Sequence, residues 1–352
     1  MWGPNAAGKT SLLESIVVLA HGVSHRTGTD AELIRWGERL ARIEGRLSGG
    51  TTVEVALVRE GPSAGRKRIR VNGVGRRATA LPGILRVVVF APEDMLLVAG
   101  PPGLRRGTLD AIASQRFPAY ARDLAMYGRA LHQRNSLLRA IREEQAGRDE
   151  LAFWDATLLG TGAAILDARG VLLDELATPL AEAHAEIAPG EGRLAATYES
   201  SAPQLPGELP RDALARRLAE TAEKEIWNGT TLVGPHRDDV AFRLDGRDLA
   251  GFASRGQQRT AILALKLAEL DLLTEHDGSP PLLLLDDVFS ELDPSRRSHL
   301  VRRIAGLPQA FVTTTTPGDL DAGLRAAATS WEVTADDGSG ARLGIPVHGM
   351  PA

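Results

Sequence analysis

Gly3-Pro4-Asn5-Ala6-Ala7-Gly8-Lys9-Thr10 lies at the start of the chain and decides the fold. It matches the pattern G-x-x-x-x-G-K-[ST]: backbone N–H groups cradle phosphates, the lysine reaches the β- and γ-phosphates, and the hydroxyl residue binds Mg²⁺. A helix should follow such a loop, and the apolar run from Ser11 to Ala20 predicts one. The stretch predicts a nucleotide-binding α/β fold; the alternative is a glycine-rich turn before an ordinary helix.

A loop of this type also follows a β-strand, and only Met1 and Trp2 precede Gly3. We therefore expect the chain to be a fragment, or to begin late relative to one or more further N-terminal strands. The first strand of the nucleotide fold is then missing, and the competence of the loop is open.

The bulk composition is that of a globular protein. The chain has 352 residues, of which 43% are hydrophobic and 24% charged. A net charge of −4 supplies no global basic field, so any nucleic-acid contact must be local. The absence of cysteine excludes disulfides, cysteine-bound zinc and thiol catalysis. The sequence shows no run of about 20 apolar residues and no signal peptide, so we expect a cytoplasmic protein without a membrane partner.

The order of patterns along the chain predicts a β-rich region, a helical insertion and a return to α/β structure. A hairpin signal at Asn72-Gly73 follows three β-type runs, and the helical character begins near residue 104. The predicted strands are Ala41–Leu47, Thr52–Arg59 and Lys67–Val71 in an antiparallel layer, and Leu85–Phe90 in a buried position. The predicted domains are an ATPase lobe over 1–103, a helical arm over 104–228 and an ATPase lobe over 229–352.

Four leucines followed by two aspartates, Leu282 to Asp287, predict a buried parallel strand that ends in carboxylates. Ligands bind at this end of the strands in open α/β sheets. Asp286 is placed to hold Mg²⁺, and Asp287 to orient an attacking water. The alternative is a buried strand that ends in a turn. Asp293 and Pro294 then predict the start of a helix through Arg303.

A second anion site is predicted where Ser254, Gly256 and Gln257 precede a long apolar helix over Ala261–Leu273. Serine can cap the helix, and glycine allows a ligand to approach the backbone closely. The alternative is an ordinary capped amphipathic helix.

These motifs resemble those of ABC-type, SMC-like ATPases, and within that class the RecF family of DNA replication and repair proteins. The resemblance covers nearly the whole chain and implies an ABC-type ATPase head, a mixed β core with a parallel sheet, plus an inserted helical arm. It rests on the order of seven motifs: Gly3–Thr10, Ser24–Thr27, Phe90–Asp94, Gln133–Asn135, Gly234–Asp239, Ser254–Arg259 and Leu285–Asp293.

The resemblance implies ATP and Mg²⁺ as cofactors and a nucleotide held between two subunits. The phosphate-binding loop of one chain and the signature turn of its partner close on one ATP, and hydrolysis releases the dimer. The implied catalytic residues are Lys9, Asp286 and Asp287, and the implied metal ligands are Thr10 and Asp286. The implied nucleotide contacts are Gly3, Pro4, Asn5, Ala6, Ala7, Gly8, Lys9, Thr10 and Ser11, with Ser254, Gly256 and Gln257 from the partner.

The resemblance also implies a biological role in DNA damage repair, replication and the SOS response. Proteins of this family bind double-stranded DNA near single-strand gaps and help RecO and RecR load a recombinase. Asp287, where many ABC ATPases have glutamate, suits a slow, DNA-stimulated ATPase. Thr315 is the candidate for the switch position. Glu93 and Asp94 are candidates for the Q-loop role; the alternative is that they form a simple turn at the end of the strand.

Three further patterns have competing interpretations. Leu47–Gly50 spells the transporter signature, but it precedes a β-run, so we predict a hairpin turn. His236–Asp239 cannot all face one ion, and a structural hydrogen-bonding role is favoured over nucleotide contact. The basic cluster of Arg66, Lys67, Arg68, Arg70, Arg76 and Arg77 is either a solvated hairpin or a contact for DNA phosphates.

The alternative functions are of other classes. A transporter nucleotide-binding subunit would need a Gly-Gly signature and a switch histidine. A chromosome-maintenance head would need hundreds of heptad residues between the two halves. A copy truncated before its first strand would be unable to bind ATP.

Overall fold

The computed structural model describes residues 1–61, 65–336 and 340–349. The chain divides into two compact units, which are treated separately. Unit 1 comprises residues 1–95, 183–190 and 262–352, and unit 2 comprises residues 96–182 and 191–261. These units follow from packing, and the domain boundaries given by the sequence stay a prediction.

Helices and strands occur where the sequence patterns place most of them. The helices are α1 Lys9–His21, α2 Pro102–Arg116, α3 Tyr120–Arg142, α4 Leu151–Ile187, α5 Pro210–Asn228, α6 Leu249–Phe252, α7 Arg255–Asp277, α8 Pro294–Ala305 and α9 Ala322–Ala327. The strands are β1 Leu40–Arg46, β2 Thr52–Arg59, β3 Gly65–Val71, β4 Val74–Arg76, β5 Val87–Phe90, β6 Leu194–Glu199, β7 Asp239–Leu244, β8 Arg247–Asp248, β9 Leu282–Asp286, β10 Ala310–Thr313, β11 Thr329–Ser330, β12 Val333–Asp336, β13 Gly340–Leu343 and β14 Val347–His348.

The antiparallel layer of unit 1 has the order β1-β2-β3-β4. In β2 the residues alternate in burial, so that Val53, Val55 and Leu57 pack in a core with Val18 of α1. The turn at Leu47–Gly50 joins β1 to β2, and the Leu47 N–H donates to Thr51 O at 2.9 Å. The transporter-like letters therefore form a hairpin turn, as predicted.

The parallel sheet of unit 1 has the order β10-β9-β5. Strand β9 is central, with Leu284 and Leu285 fully buried, which explains its uninterrupted leucine run. Phe90 at the end of β5 pairs with Leu285, and Thr313 at the end of β10 pairs with Asp286. The polar ends of these strands therefore lie on one edge of the sheet.

Unit 2 contains helices α2, α3 and α5, most of α4, and the antiparallel sheet β6-β7-β8. The sequence analysis predicted the helices but not β6. By length and composition α4 could cross a membrane, because an 18-residue window within Arg148–Ile187 has a mean hydropathy of 1.4, which the search for apolar runs did not anticipate. About a third of that window is buried, 33%, and Leu158, Ile165, Leu172 and Leu176 of α4 lie inside the fold.

Arg169 of α4 is a charged residue in the core of unit 2, with only 2% of its surface exposed. Its guanidinium donates to Asp110 at 2.7 Å, to the Tyr198 hydroxyl at 3.0 Å and to Pro235 O at 2.9 Å. Asp238 in turn accepts from the Tyr198 hydroxyl at 2.7 Å. These hydrogen bonds connect α2, α4 and β6 to the Gly234–Asp239 motif. The buried Arg169 guanidinium is thereby paired with the Asp110 carboxylate.

Replacing Arg169 with methionine should therefore destabilise unit 2 by about 3 kcal/mol, because Asp110 and Pro235 O lose their donor in a buried place. The measurement is the midpoint of urea-induced unfolding. Arg122, whose side chain is 66% exposed, is the matched control, and Arg122→Met should change the unfolding free energy by less than about 0.5 kcal/mol. Equal midpoints for the two variants would contradict this assignment.

Candidate nucleotide site

Met1 and Trp2, directly in front of the phosphate-binding loop, pair with backbone on both sides. The Met1 amino group donates to Val312 O at 2.8 Å, and Thr314 N donates to Met1 O at 3.1 Å. On the other side Trp2 N donates to Trp331 O at 2.9 Å, and Val333 N donates to Trp2 O at 2.7 Å. Two residues thus pair in parallel on both sides and bring Gly3 to the polar edge of the sheet.

The loop between Gly3 and Lys9 has the curvature of an anion-binding nest. Ala6 (φ 62°) and Gly8 (φ 99°) adopt left-handed conformations, which are characteristic of the turns that form anion-binding nests. Gly8 is also the residue before α1, so the positive end of the helix dipole faces the loop. A Cβ at Gly8 would lie 2.5 Å from the Ala341 Cβ, so glycine is required there for close packing as well as for φ.

Lys9 is folded over the loop, with 7% of its surface exposed. Its Nζ donates to Gly3 O at 2.6 Å and to Pro4 O at 2.8 Å. Burial lowers the pKa of Lys9, and Asp287 and Asp286 partly oppose that shift by stabilising the charged form. The structure therefore brings Lys9 into the field of both predicted carboxylates.

Asp286 is the last residue of β9, and Asp287 follows it. Both are bound by one residue of β10. The Thr313 hydroxyl donates to Asp286 Oδ1 at 2.6 Å and accepts from Asp287 N at 3.0 Å. Asp287 N also approaches Thr313 O at 3.3 Å. Asp287 has φ 51° and ψ 26°, a left-handed conformation that costs a non-glycine residue about 1–3 kcal/mol and is typical of functional turns.

These groups fit a magnesium-bound nucleotide. In the described ranges no cluster of three or more His, Cys, Asp or Glu side chains could hold a metal alone. Mg²⁺ at phosphoryl-transfer sites characteristically takes one or two carboxylates and completes its shell with phosphate oxygens and water. Asp286, the Thr10 hydroxyl and the phosphates would form such a set, while the loop N–H groups and Lys9 offset the phosphate charge.

The structure separates the predicted site residues by unit. Gly3 to Ser11, Asp286 and Asp287 belong to unit 1, whereas Ser254, Gly256 and Gln257 belong to unit 2. Asp293, predicted to cap a helix, accepts from Ser295 N at 3.0 Å and Arg296 N at 3.1 Å at the start of α8. The roles of these residues toward a nucleotide stay predictions.

The signature turn is a reciprocal capping box. Gln257 N donates to Ser254 Oγ at 3.2 Å, and Ser254 N donates to Gln257 Oε1 at 3.1 Å. Ser254 is exposed, and it precedes the first residue of α7. The sequence analysis recognised the cap but not the reciprocal part played by Gln257. The turn presents a preformed helix N-terminus at the surface of unit 2.

The polar residues after β5 are tied to two other segments of unit 1. Glu93 pairs with Arg26 of the Ser24–Thr27 motif at 3.4 Å. Asp94 accepts from Ala91 N at 2.8 Å and lies 3.5 Å from Lys266 Nζ, which also approaches Glu269 at 3.7 Å. Burial raises the pKa of Glu269 to about 7. The Lys266–Glu269 pair was not predicted, because both residues lie within an apolar helix and no local pattern marks them.

The His236–Asp239 residues make separate hydrogen bonds. Asp239 forms a bidentate pair with Arg105 at 2.7 and 2.8 Å. His236 Nε2 lies 3.2 Å from Thr231 O, which can only accept, so Nε2 carries the proton and the Tyr127 hydroxyl donates to Nδ1 at 2.6 Å. The geometry agrees with a structural role for this motif. Thr315 as the switch residue stays a prediction.

Sequence comparison with known proteins relates the chain to RecF proteins. The chain is 42% identical over 334 residues to the DNA replication and repair protein RecF of Moorella thermoacetica, covering 95% of this chain and 88% of that protein. It is 40% identical over 330 residues to RecF of Bacillus subtilis, covering 91% and 87%. The chain belongs to the RecF family. No protein-family model matches the chain.

A solved structure of the RecF family extends this agreement to the fold. The recombination mediator protein RecF in its ATP form superimposes with a TM-score of 0.84 and 33% identity over 98% of this chain and 90% of that one. A related form, RecF-ATPrS, has a TM-score of 0.82 over 96% and 89%. The prediction of an ABC-type ATPase head of the RecF family is confirmed.

The half-buried His236 of this RecF-family chain should make the stability pH-dependent. Burial lowers its pKa to about 4. Because the unfolded state binds the proton first as pH falls, the free energy of unfolding should decrease below about pH 6.5, by up to about 2 kcal/mol between pH 7 and pH 5.

Urea unfolding at pH 7 and pH 5 measures this effect. His236→Gln should be less stable at pH 7 but lose less on acidification than the unsubstituted chain. Identical losses in the two proteins would show that His236 does not contribute.

Proposed function

We propose that the chain is an ATP-dependent DNA-binding protein of recombinational repair and replication-fork maintenance. It dimerises on ATP at duplex or gapped DNA and acts with RecO- and RecR-like proteins in the cytoplasm, where recombinase is loaded. The observation that carries the proposal is the shared sheet edge, in a chain of the RecF family. Trp2, directly before the loop, pairs with Thr314, and the adjacent Thr313 binds the Asp286 carboxylate and the Asp287 N–H. The ATP forms of the similar RecF structures support the choice of nucleotide.

Each residue at that edge would have one task. The loop N–H groups and Lys9 would bind the phosphates, and Thr10 and Asp286 would hold Mg²⁺, which neutralises phosphate charge when bound. Asp287 would orient the attacking water. Asp287 has a short side chain in a strained backbone conformation, so we propose a weak, DNA-stimulated ATPase.

The second half of the site would come from another copy of the chain. Ser254 is exposed and Gly256 half-buried at the N-terminus of α7, where the positive end of the helix dipole attracts phosphate oxygens. A composite site of this kind makes dimerisation the direct consequence of ATP binding. The transporter subunit and the chromosome-maintenance head do not share this support, because the identity extends over most of the length of RecF relatives.

Lys9→Ala should weaken ATP binding about 10- to 100-fold, because a charge-assisted contact to the phosphates is lost. It should also abolish the increase in mass that light scattering records on addition of ATP. Lys224, an exposed lysine of α5, supplies the control, and Lys224→Ala should behave as the unsubstituted chain. ATP binding and dimerisation that survive in Lys9→Ala would contradict the proposed mechanism.

The outer face of the antiparallel layer is the proposed DNA surface. Arg66, Arg68 and Arg70 alternate along β3 and are exposed, whereas Lys67 points inward and donates to Gly22 O at 2.5 Å. Arg42 lies across the sheet from Arg68, with Ala56 between them. Glu54 pairs with Arg42 and Arg70, so the patch is basic but partly neutralised.

Triple replacement of Arg66, Arg68 and Arg70 by alanine should weaken duplex binding and reduce the slope of log K against log[salt] by about 2–3 units, since each phosphate contact contributes about one. Lys67→Ala is the matched control from the opposite face of the same strand and should leave the slope unchanged. An unchanged slope in the triple variant would place the DNA surface elsewhere.

A further inference from the structure

Thr313 is fully buried at the end of β10 and contacts both carboxylates of the candidate site. Its single hydroxyl proton is used in the 2.6 Å hydrogen bond to Asp286 Oδ1, and its oxygen accepts the Asp287 N–H at 3.0 Å. One hydroxyl thus joins two consecutive residues of the neighbouring strand. The hydroxyl donates to the side chain of Asp286, the proposed metal ligand. It accepts from the backbone of Asp287, the proposed water-orienting residue.

The hydroxyl of the neighbouring Thr314 makes different hydrogen bonds. The Thr314 hydroxyl donates to Thr316 O at 3.0 Å and accepts from Thr316 N at 3.3 Å, which closes a local turn. Thr314 is as buried as Thr313, with 1% of its surface exposed. Two adjacent buried threonines therefore differ in that only Thr313 has its hydroxyl on the carboxylates.

We propose that Thr313 is a positioning residue that fixes the Asp286 carboxylate for Mg²⁺ and holds the Asp287 turn. This inference rests on the proposed ATPase function. With Oδ1 fixed by Thr313, Oδ2 is the oxygen that this contact leaves for the cation. Hydrogen bonds of this outer kind orient metal-binding carboxylates and set their affinity.

The backbone contact gives Thr313 a second effect. Asp287 leaves β9 in a left-handed conformation, and its N–H is bound by the hydroxyl and approached by the carbonyl of Thr313. Loss of the hydroxyl removes the shorter of these two contacts to the Asp287 N–H, so the turn is less well fixed. Loss of the hydroxyl should then reduce the rate of hydrolysis more than the affinity for ATP.

Thr313→Val tests the inference, because it removes the hydroxyl and keeps the shape. The first readout is binding of a fluorescent ATP analogue as a function of Mg²⁺ concentration, which does not require turnover. We expect the Mg²⁺ concentration at half-saturation to rise about 10-fold or more. We also expect kcat to fall about 10- to 100-fold, with KM for ATP at saturating Mg²⁺ changed by less than about 2-fold.

Two controls separate positioning from general loss of structure. Thr313→Ser retains the hydroxyl and should restore the Mg²⁺ dependence, whereas Thr314→Val removes a buried hydroxyl of the same kind and should leave that dependence unchanged. A Thr313→Val variant with an unchanged Mg²⁺ half-saturation would overturn the inference. If Thr313→Val does not fold, Thr313→Ala removes the same hydroxyl, and the same outcomes apply.

The outcomes also distinguish this inference from the proposed function. If Lys9→Ala abolishes ATP binding while Thr313→Val and the unsubstituted chain respond equally to Mg²⁺, only the inference fails. If the unsubstituted chain binds no ATP at any Mg²⁺ concentration, the proposed function fails and the inference is overturned with it.

Discussion

The parallel pairing of Met1 and Trp2 with the sheet is the constraint on which the nucleotide site depends. Four backbone hydrogen bonds, to Val312, Thr314, Trp331 and Val333, fix these residues between two segments of unit 1. Because the loop begins at the next residue, its position relative to Asp286 is set by the sheet. The charge of Lys9 is thereby brought to the carboxylates.

The arrangement explains how an α/β sheet produces a site from residues far apart in sequence. Strand β9 supplies the carboxylates, β10 supplies the hydroxyl that fixes them, and the loop supplies backbone N–H groups and a lysine. None of these groups binds a nucleotide strongly alone, but all lie at the carboxyl ends of parallel strands, where open sheets characteristically bind ligands. In unit 2, by contrast, the buried Arg169 connects several segments by hydrogen bonds to Asp110 and Pro235 O.

Patterns with a local physical cause were predictable from the sequence. The period of two in β2, the four leucines of β9, and Asp293 before Pro294 each specify a structure that depends on few neighbours. The pairing of Met1 and Trp2 in front of the loop was not predicted, whereas the expectation of a missing first strand stays a prediction. That pairing depends on Trp331 and Val333, which are more than 300 residues away, and no local pattern reports it.

The same limit applies to individual site residues. Thr313 lies in a run of four threonines, and only the register of β10 against β9 decides which hydroxyl reaches Asp286. In the basic cluster, alternation along β3 turns Lys67 away from Arg66 and Arg68. These distinctions come from pairing between strands, and the sequence alone gives residue types but not their partners.

The central claim is that one ATP is held by the loop of one chain and the signature turn of another. Mixing a Lys9→Ala chain with a Ser254→Arg chain tests it most directly, because a heterodimer of the two contains one intact composite site. The account predicts ATP-dependent dimerisation and ATP turnover in the mixture, although each variant alone lacks both. A mixture no more active than the two separate variants would contradict a shared site.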